Sequence, residues 1–139
     1  MNVEKDGFRS SDDRTDAREQ AIMLLYEAEQ RCLVSTDLVK ERGVVSEELT
    51  HLLLTGVELG REAIDEKIVE HAKGWVLSRM PALDRAILRL AIFELMQRPE
   101  VPVAVVIDEA VELAKKFSTD DSGRFVNGVL AAEARQVRS

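Results

Sequence analysis

The sequence predicts an all-α fold, a helical bundle of about seven helices, and three observations carry that prediction. Residues 83–96, LDRAILRLAIFELM, set apolar side chains on every side of a helical wheel, the pattern of a helix surrounded by other helices. The segments on either side of it repeat their apolar residues at helical spacing, and none alternates convincingly with the period of a strand. Three prolines and seven glycines leave room for long helices, while an aromatic content of 4% argues against a sandwich or barrel.

With 139 residues the chain fits one domain that buries a single sizeable core. Its 45% hydrophobic and 32% charged residues are those of a globular rather than a disordered protein. The single cysteine, Cys32, cannot form an internal disulfide, which fits a reducing, cytoplasmic setting. No apolar stretch near the N-terminus reads as a secretion signal. Arg85, Arg89 and Glu94 interrupt the core helix well short of the roughly 18 uncharged apolar residues a membrane span needs, so no membrane partner is expected. A net charge of −7 repels nucleic acid as a whole, so RNA binding would require a local basic or aromatic site.

Residues 1–13 include Ser10, Ser11, Asp12 and Asp13, hold little apolar content, and read as a mobile N-terminal arm. The first helix is expected over residues 14–31. Ala17, Ala21, Leu24, Leu25, Ala28 and Cys32 share one face, which makes Cys32 a small core residue, and Asp16 with Glu19 approximates a capping signal. A short helix around Leu38 and Val39 should end at Gly43. Ser46 can cap a long helix that keeps Glu47 and Glu48 in its first turn and runs to Gly74. Gly56 and Gly60 lie on one face of it, where a neighbouring helix can approach closely. Residues 75–80 form a short helix that Pro81 ends. Pro102 suits the first position of the next helix, in which Val103, Val106, Ile107, Ala110, Ala114 and Phe117 keep helical period and Glu112 can pair with Lys116. In the turn STDDSG, Asp121 or Ser122 can cap the last helix, which presents Phe125, Val126, Val129 and Leu130 and fades into a polar tail at residues 136–139.

Nothing in this inventory predicts catalysis. His51 and His71 are far apart with no acid or thiol at ligand spacing, so they read as surface histidines and no metal is expected. Asp120 and Asp121 lack the spacing of a calcium loop. No glycine-rich phosphate loop occurs, and no cofactor is implied. What does stand out is a polar and aromatic set: Arg14, Arg18 and Tyr26 on the first helix, and Asp121, Arg124, Phe125 and Asn127 at the start of the last. Arginines neutralise phosphates, and tyrosine and phenylalanine rings stack unpaired bases at about 1–3 kcal/mol each. Such groups suit single-stranded RNA. The competing reading packs Phe125 inward and bonds Asn127 to the backbone.

At these residues the sequence resembles the NusB family of bacterial transcription antitermination factors. Three blocks carry the likeness: RTDAREQAIMLLYEAE, LDRAILRLAIFELMQRPEVPVAVVIDEAVELAKKFS and DDSGRFVNGVL. The resemblance implies two packed three-helix subdomains, one RNA-binding domain over residues 14–135, and no enzymatic activity. It further implies binding to the single-stranded boxA element of nascent ribosomal RNA together with NusE, a small-subunit ribosomal protein, with other Nus factors and RNA polymerase engaged indirectly. Carried over by position, Arg14, Arg18, Tyr26, Asp121, Arg124, Phe125 and Asn127 would contact RNA, and Ser78 with Asp84 would face the NusE partner.

The chain departs from the family where the first helix usually opens with an arginine-rich cluster. Residues 1–20 hold four basic side chains (Lys5, Arg9, Arg14, Arg18) against six acidic ones (Glu4, Asp6, Asp12, Asp13, Asp16, Glu19). This predicts weak RNA affinity for the isolated protein and a shallow salt dependence, about two or three phosphates' worth. It also keeps a second reading in play: a protein-interaction module of the same fold, binding NusE or itself, with RNA binding weakened or lost. Separately, a homodimer could cover the stacking residues of the first helix and hide the RNA site until NusE or RNA competes it open.

Overall fold

The structure, a computed structural model, describes the backbone of residues 2–43 and 48–138, with side chains from residue 14 onward in those ranges. Six α-helices and one 3₁₀ turn account for the described secondary structure: α1 (Asn2–Gln30), α2 (Ser35–Arg42), α3 (Glu48–His71), the 3₁₀ turn (Leu77–Arg79), α4 (Ala82–Gln97), α5 (Val103–Phe117) and α6 (Asp120–Val137). Helices α1 to α3 pack together as one unit and α4 to α6 as a second, and α4 joins them by packing against both α1 and α3.

Every residue from 86 to 95 in α4 is buried, as a helix apolar all round requires. The charges that interrupt it are inside as well, each with its counter-ion. Glu94 receives Arg18 and Arg98, while Arg89 spans Asp65 and Glu29 at 2.8 Å each. Breaking a buried pair strands the remaining charge, which explains why these charges come in sets. Where α3 crosses α4, a Cβ on Gly56 would lie 2.2 Å from the Phe93 ring, so only glycine admits that ring. Gly60 plays no such part: its nearest neighbour is Ile64 of the same helix, at 3.4 Å.

The structure corrects several local expectations. Helix α1 begins at Asn2 rather than near Arg14, so Asp16 and Glu19 lie within it instead of capping it. Cys32 is exposed, not a core residue. It has φ 56° at the end of α1, where Cys32 N–H donates to Glu29 O at 3.1 Å and Leu33 N–H to Ala28 O at 2.8 Å, the αL ending that usually takes glycine. Gly43 does end α2 in αL, with φ 68°. The expected cap at Ser46 and Glu47 lies outside the described residues. The short helix at 75–80 is the 3₁₀ turn, and α3 stops at His71. Pro102 is the N-cap of α5 rather than its first residue, and Thr119, not Asp121 or Ser122, caps α6. Lys116 pairs with Glu19 of α1 at 2.9 Å, leaving Glu112 to Lys115. His71 is not a surface histidine, since it meets the buried Glu133 carboxylate at 2.9 Å. The C-terminal tail does not fray early: α6 runs to Val137, and the Arg138 guanidinium donates to the carbonyls of Glu94, Leu95, Arg98 and Val101. A cation there complements the negative end of α4 and satisfies its last carbonyls.

Candidate nucleic-acid interface

The turn before α6 fixes the set at its start. Thr119 Oγ1 accepts from Ser122 N at 3.0 Å, the Ser122 hydroxyl donates to Asp84 Oδ2 at 3.0 Å, and Ser118 Oγ meets Ser122 Oγ at 2.9 Å. These bonds pin the first turn of α6 to the first turn of α4. Asp121, Arg124 and Asn127 then stand exposed. Arg124 donates to Asp121, so part of its charge is already answered. The Asn127 side chain makes no hydrogen bond among the described residues, against the reading that it serves the backbone. Phe125 is half-buried, packed on Trp75 with ring centroids 5.4 Å apart and planes tilted by 53°.

On α1, Arg14 is exposed with no ion pair among the described residues, and Tyr26 is half-buried. Lys116 with Glu19 brings the middle of α1 beside the end of α5, one short turn ahead of α6. Ser78 is exposed in the 3₁₀ turn.

Two expected contact residues are placed otherwise. Arg18 is only 3% exposed: its Nε and Nη2 grip Glu94 at 2.7 and 3.0 Å, and Nη1 reaches Glu109 at 3.1 Å. Two acids hold this guanidinium inside, and it does not face a phosphate. Asp84 is 2% exposed and turned toward Ser122 rather than toward a partner surface. Burial pushes its carboxyl above the ordinary aspartate range, and the bond from Ser122 opposes this only in part.

Two surface grooves among the described residues bring together no uncommitted reactive groups. An apolar groove of about 560 Å³ runs between α3 and α4, lined by Leu52, Gly56, Leu59, Phe93 and Met96 among others. A shallower one of about 710 Å³ is bounded by Trp75, Val76, Ser78, Arg85 and Arg89. Its two guanidiniums are already committed to Glu29, Asp65 and the carbonyls of Leu77 and Met80. No group of three or more His, Cys, Asp or Glu among the described residues could hold a metal ion. No described helix is long and apolar enough to cross a membrane.

Sequence reasoning gave Trp75 no part in the site, although the signal was there. Gly74, with φ 85°, turns the chain immediately before it, and an aromatic delivered by a glycine turn is a candidate for display.

These features define a class: all-helical proteins that present an aromatic and cationic edge. The family model described as the NusB family matches residues 15–135. The chain belongs to the NusB family. It is similar to a transcription antitermination protein NusB of Saccharopolyspora erythraea, 53% identical over 124 residues that cover 84% of this chain and 83% of that one. Among solved structures it resembles T. maritima NusB with a TM-score of 0.81 at 30% identity, covering 91% of this chain and 93% of that one. It also resembles a chain from a complex of the antitermination factors NusB and NusE with double-stranded RNA, with a TM-score of 0.72 at 28% identity over 88% and 96% of the two chains.

Proposed function

We propose that this chain is a transcription antitermination factor that binds the boxA element of nascent ribosomal RNA jointly with NusE and helps RNA polymerase pass terminators. It acts in the cytoplasm and catalyses no reaction. Its working unit is the domain of residues 14–135, and other Nus factors and the polymerase are reached through the complex it nucleates. Beside family membership, one observation carries the reading: the first two turns of α6 hold Arg124 and Asn127 exposed around the half-buried Phe125 ring. A guanidinium, an amide with unused donors and acceptors, and a π-face are the groups that read single-stranded RNA. Arg14 and Tyr26 extend the contact set along α1. Ser78 remains the partner-face residue on the surface, whereas Arg18 and Asp84 support the site from inside.

Fluorescence anisotropy of a boxA-containing RNA and a scrambled control, each titrated with this protein with and without NusE, tests the proposal. Selective binding that tightens with NusE is expected, and Phe125→Asp should weaken it about tenfold or more. An unchanged affinity for that variant, with its helical circular dichroism intact, would remove Phe125 from the RNA site. The Asp121–Arg124 pair and the burial of Arg18 favour the second reading, an interaction module without RNA binding. Equal or absent binding to both RNAs, alongside retained NusE binding, would establish that alternative.

A further inference from the structure

Trp75, the only tryptophan of the chain, lies against Phe125 and is still 48% exposed. Its placement is built into the backbone. Helix α3 ends at His71, Gly74 takes φ 85°, and Trp75 N–H donates back to Ala72 O at 3.0 Å, so a tight turn holds the indole at the surface. Lys73 and Arg79 flank it in sequence, on the same connection between α3 and α4, and both are exposed. Neither has a carboxylate within 4.0 Å among the described residues. In a chain of net charge −7, where most described arginines hold an acid, two such cations on the short connection that carries Trp75 suit a polyanion.

We infer that Trp75 is a base-stacking residue of the RNA site, continuing the platform begun by Phe125, with Lys73 and Arg79 meeting the phosphates of the same strand. The inference rests on the RNA-binding reading above and deepens it: the single strand continues from the start of α6 over the connection between α3 and α4. Rings tilted by 53° offer successive bases two faces rather than one, which suits a strand that bends as it crosses. Val69, in the last turn of α3, and Val76, on the connection, are exposed and would suit a protein surface, but they bring no charge to explain Lys73 and Arg79.

The emission of a lone tryptophan reports Trp75 by itself. The intact protein is titrated with boxA-containing RNA while tryptophan emission and RNA anisotropy are followed together, first without and then with NusE. Quenching that saturates with the anisotropy is expected. Trp75→Ala should weaken RNA binding about fivefold or more while Trp75→Phe keeps most of it. Replacing Lys73 and Arg79 together by glutamine should make the log–log salt slope shallower by about 1.4, at 0.7 per phosphate on a single strand. If Trp75→Ala does not fold, quenching in the parent protein and the Trp75→Phe affinity decide. RNA binding with unchanged emission would overturn the inference and leave the antitermination reading standing. An emission change that appears only when NusE is added would assign Trp75 to the protein partner and also overturn it. No RNA binding with or without NusE would remove both.

Discussion

Arg18 and Arg124 carry the same charge and end in opposite situations, because an arginine's role depends on which acids reach it. From the sequence, Arg18 is a basic residue on the first helix, which the family resemblance leads one to expect at the RNA. Only the packing of α1 on α4 brings Glu94 to it and the approach of α5 brings Glu109, and no local pattern foretells partners so distant in sequence. Asp84 was misplaced for the same reason, since Ser122 arrives from another helix. The exposure of Asn127 and the half-burial of Phe125 follow from a local setting, the opening turns of one helix. Cys32 shows a third case. Its helical register with Ala28 suggested burial, yet the helix ends at Gln30 and Cys32 takes the left-handed position that completes the turn. An L-residue is strained there by roughly 1–2 kcal/mol, whereas glycine is not, although glycine also loosens the unfolded chain. Cys32→Gly should therefore raise stability by about 0.5–1 kcal/mol in urea denaturation with RNA binding unchanged. A loss of stability would mean that the thiol packs in a way its exposure does not show.

At the scale of elements, α4 was the most legible part of the molecule and the ends of α1 and α6 the least. A helix apolar on all sides has only one environment open to it, so its burial follows from composition alone. Residues 2–13 have no apolar stripe to announce a helix, but extending an existing helix avoids the cost of nucleation. The end of α6 was hidden because Arg138 makes sense only once the carbonyls of Glu94, Leu95 and Arg98 at the end of α4 and of Val101 in the loop beyond it are in place. The same dependence on assembly governs Glu29, which clasps Arg85 and Arg89 and so ties α1 to α4, with Asp65 of α3 completing the set. The bond from Arg85 holds the Glu29 carboxyl below the usual glutamate range, with burial opposing it and Arg89 adding to the effect. A depressed carboxylate contributes stability that is present above the unfolded-state pKa and is lost as pH falls through the folded one. Glu29→Gln should thus be less stable than the parent at neutral pH, by about 1–2 kcal/mol, and the two should converge as pH drops below the ordinary glutamate range. Thermal melts across that range check the sign; a gap that stays constant with pH would remove the ionised clasp from the account.

For the whole molecule the question is how a protein of net charge −7 holds RNA at all. Neutralising phosphates releases counterions, so the salt dependence counts the cations that meet the strand. The arginine-poor first helix predicts a small count, and burial of Arg18 lowers it further. Surface cations that can serve the proposed path are Arg14, Arg124, Lys73 and Arg79, with Arg124 already shared with Asp121. At about 0.7 per phosphate on a single strand, four cations give a log–log slope no steeper than about −3. On the proposed path, stacking on Phe125, Tyr26 and Trp75 would contribute binding that salt barely touches, which would let an acidic protein keep a usable affinity. The remainder must come from NusE: two weak contacts on one transcript reinforce each other through effective concentration. Binding of boxA RNA measured over a range of salt should accordingly show a shallow slope for the protein alone and a steeper one with NusE, whose own cations join the count. A slope near −6 for the protein alone would require about eight or nine phosphates, more than these four cations can neutralise, and would show that the RNA lies along a different and more basic surface.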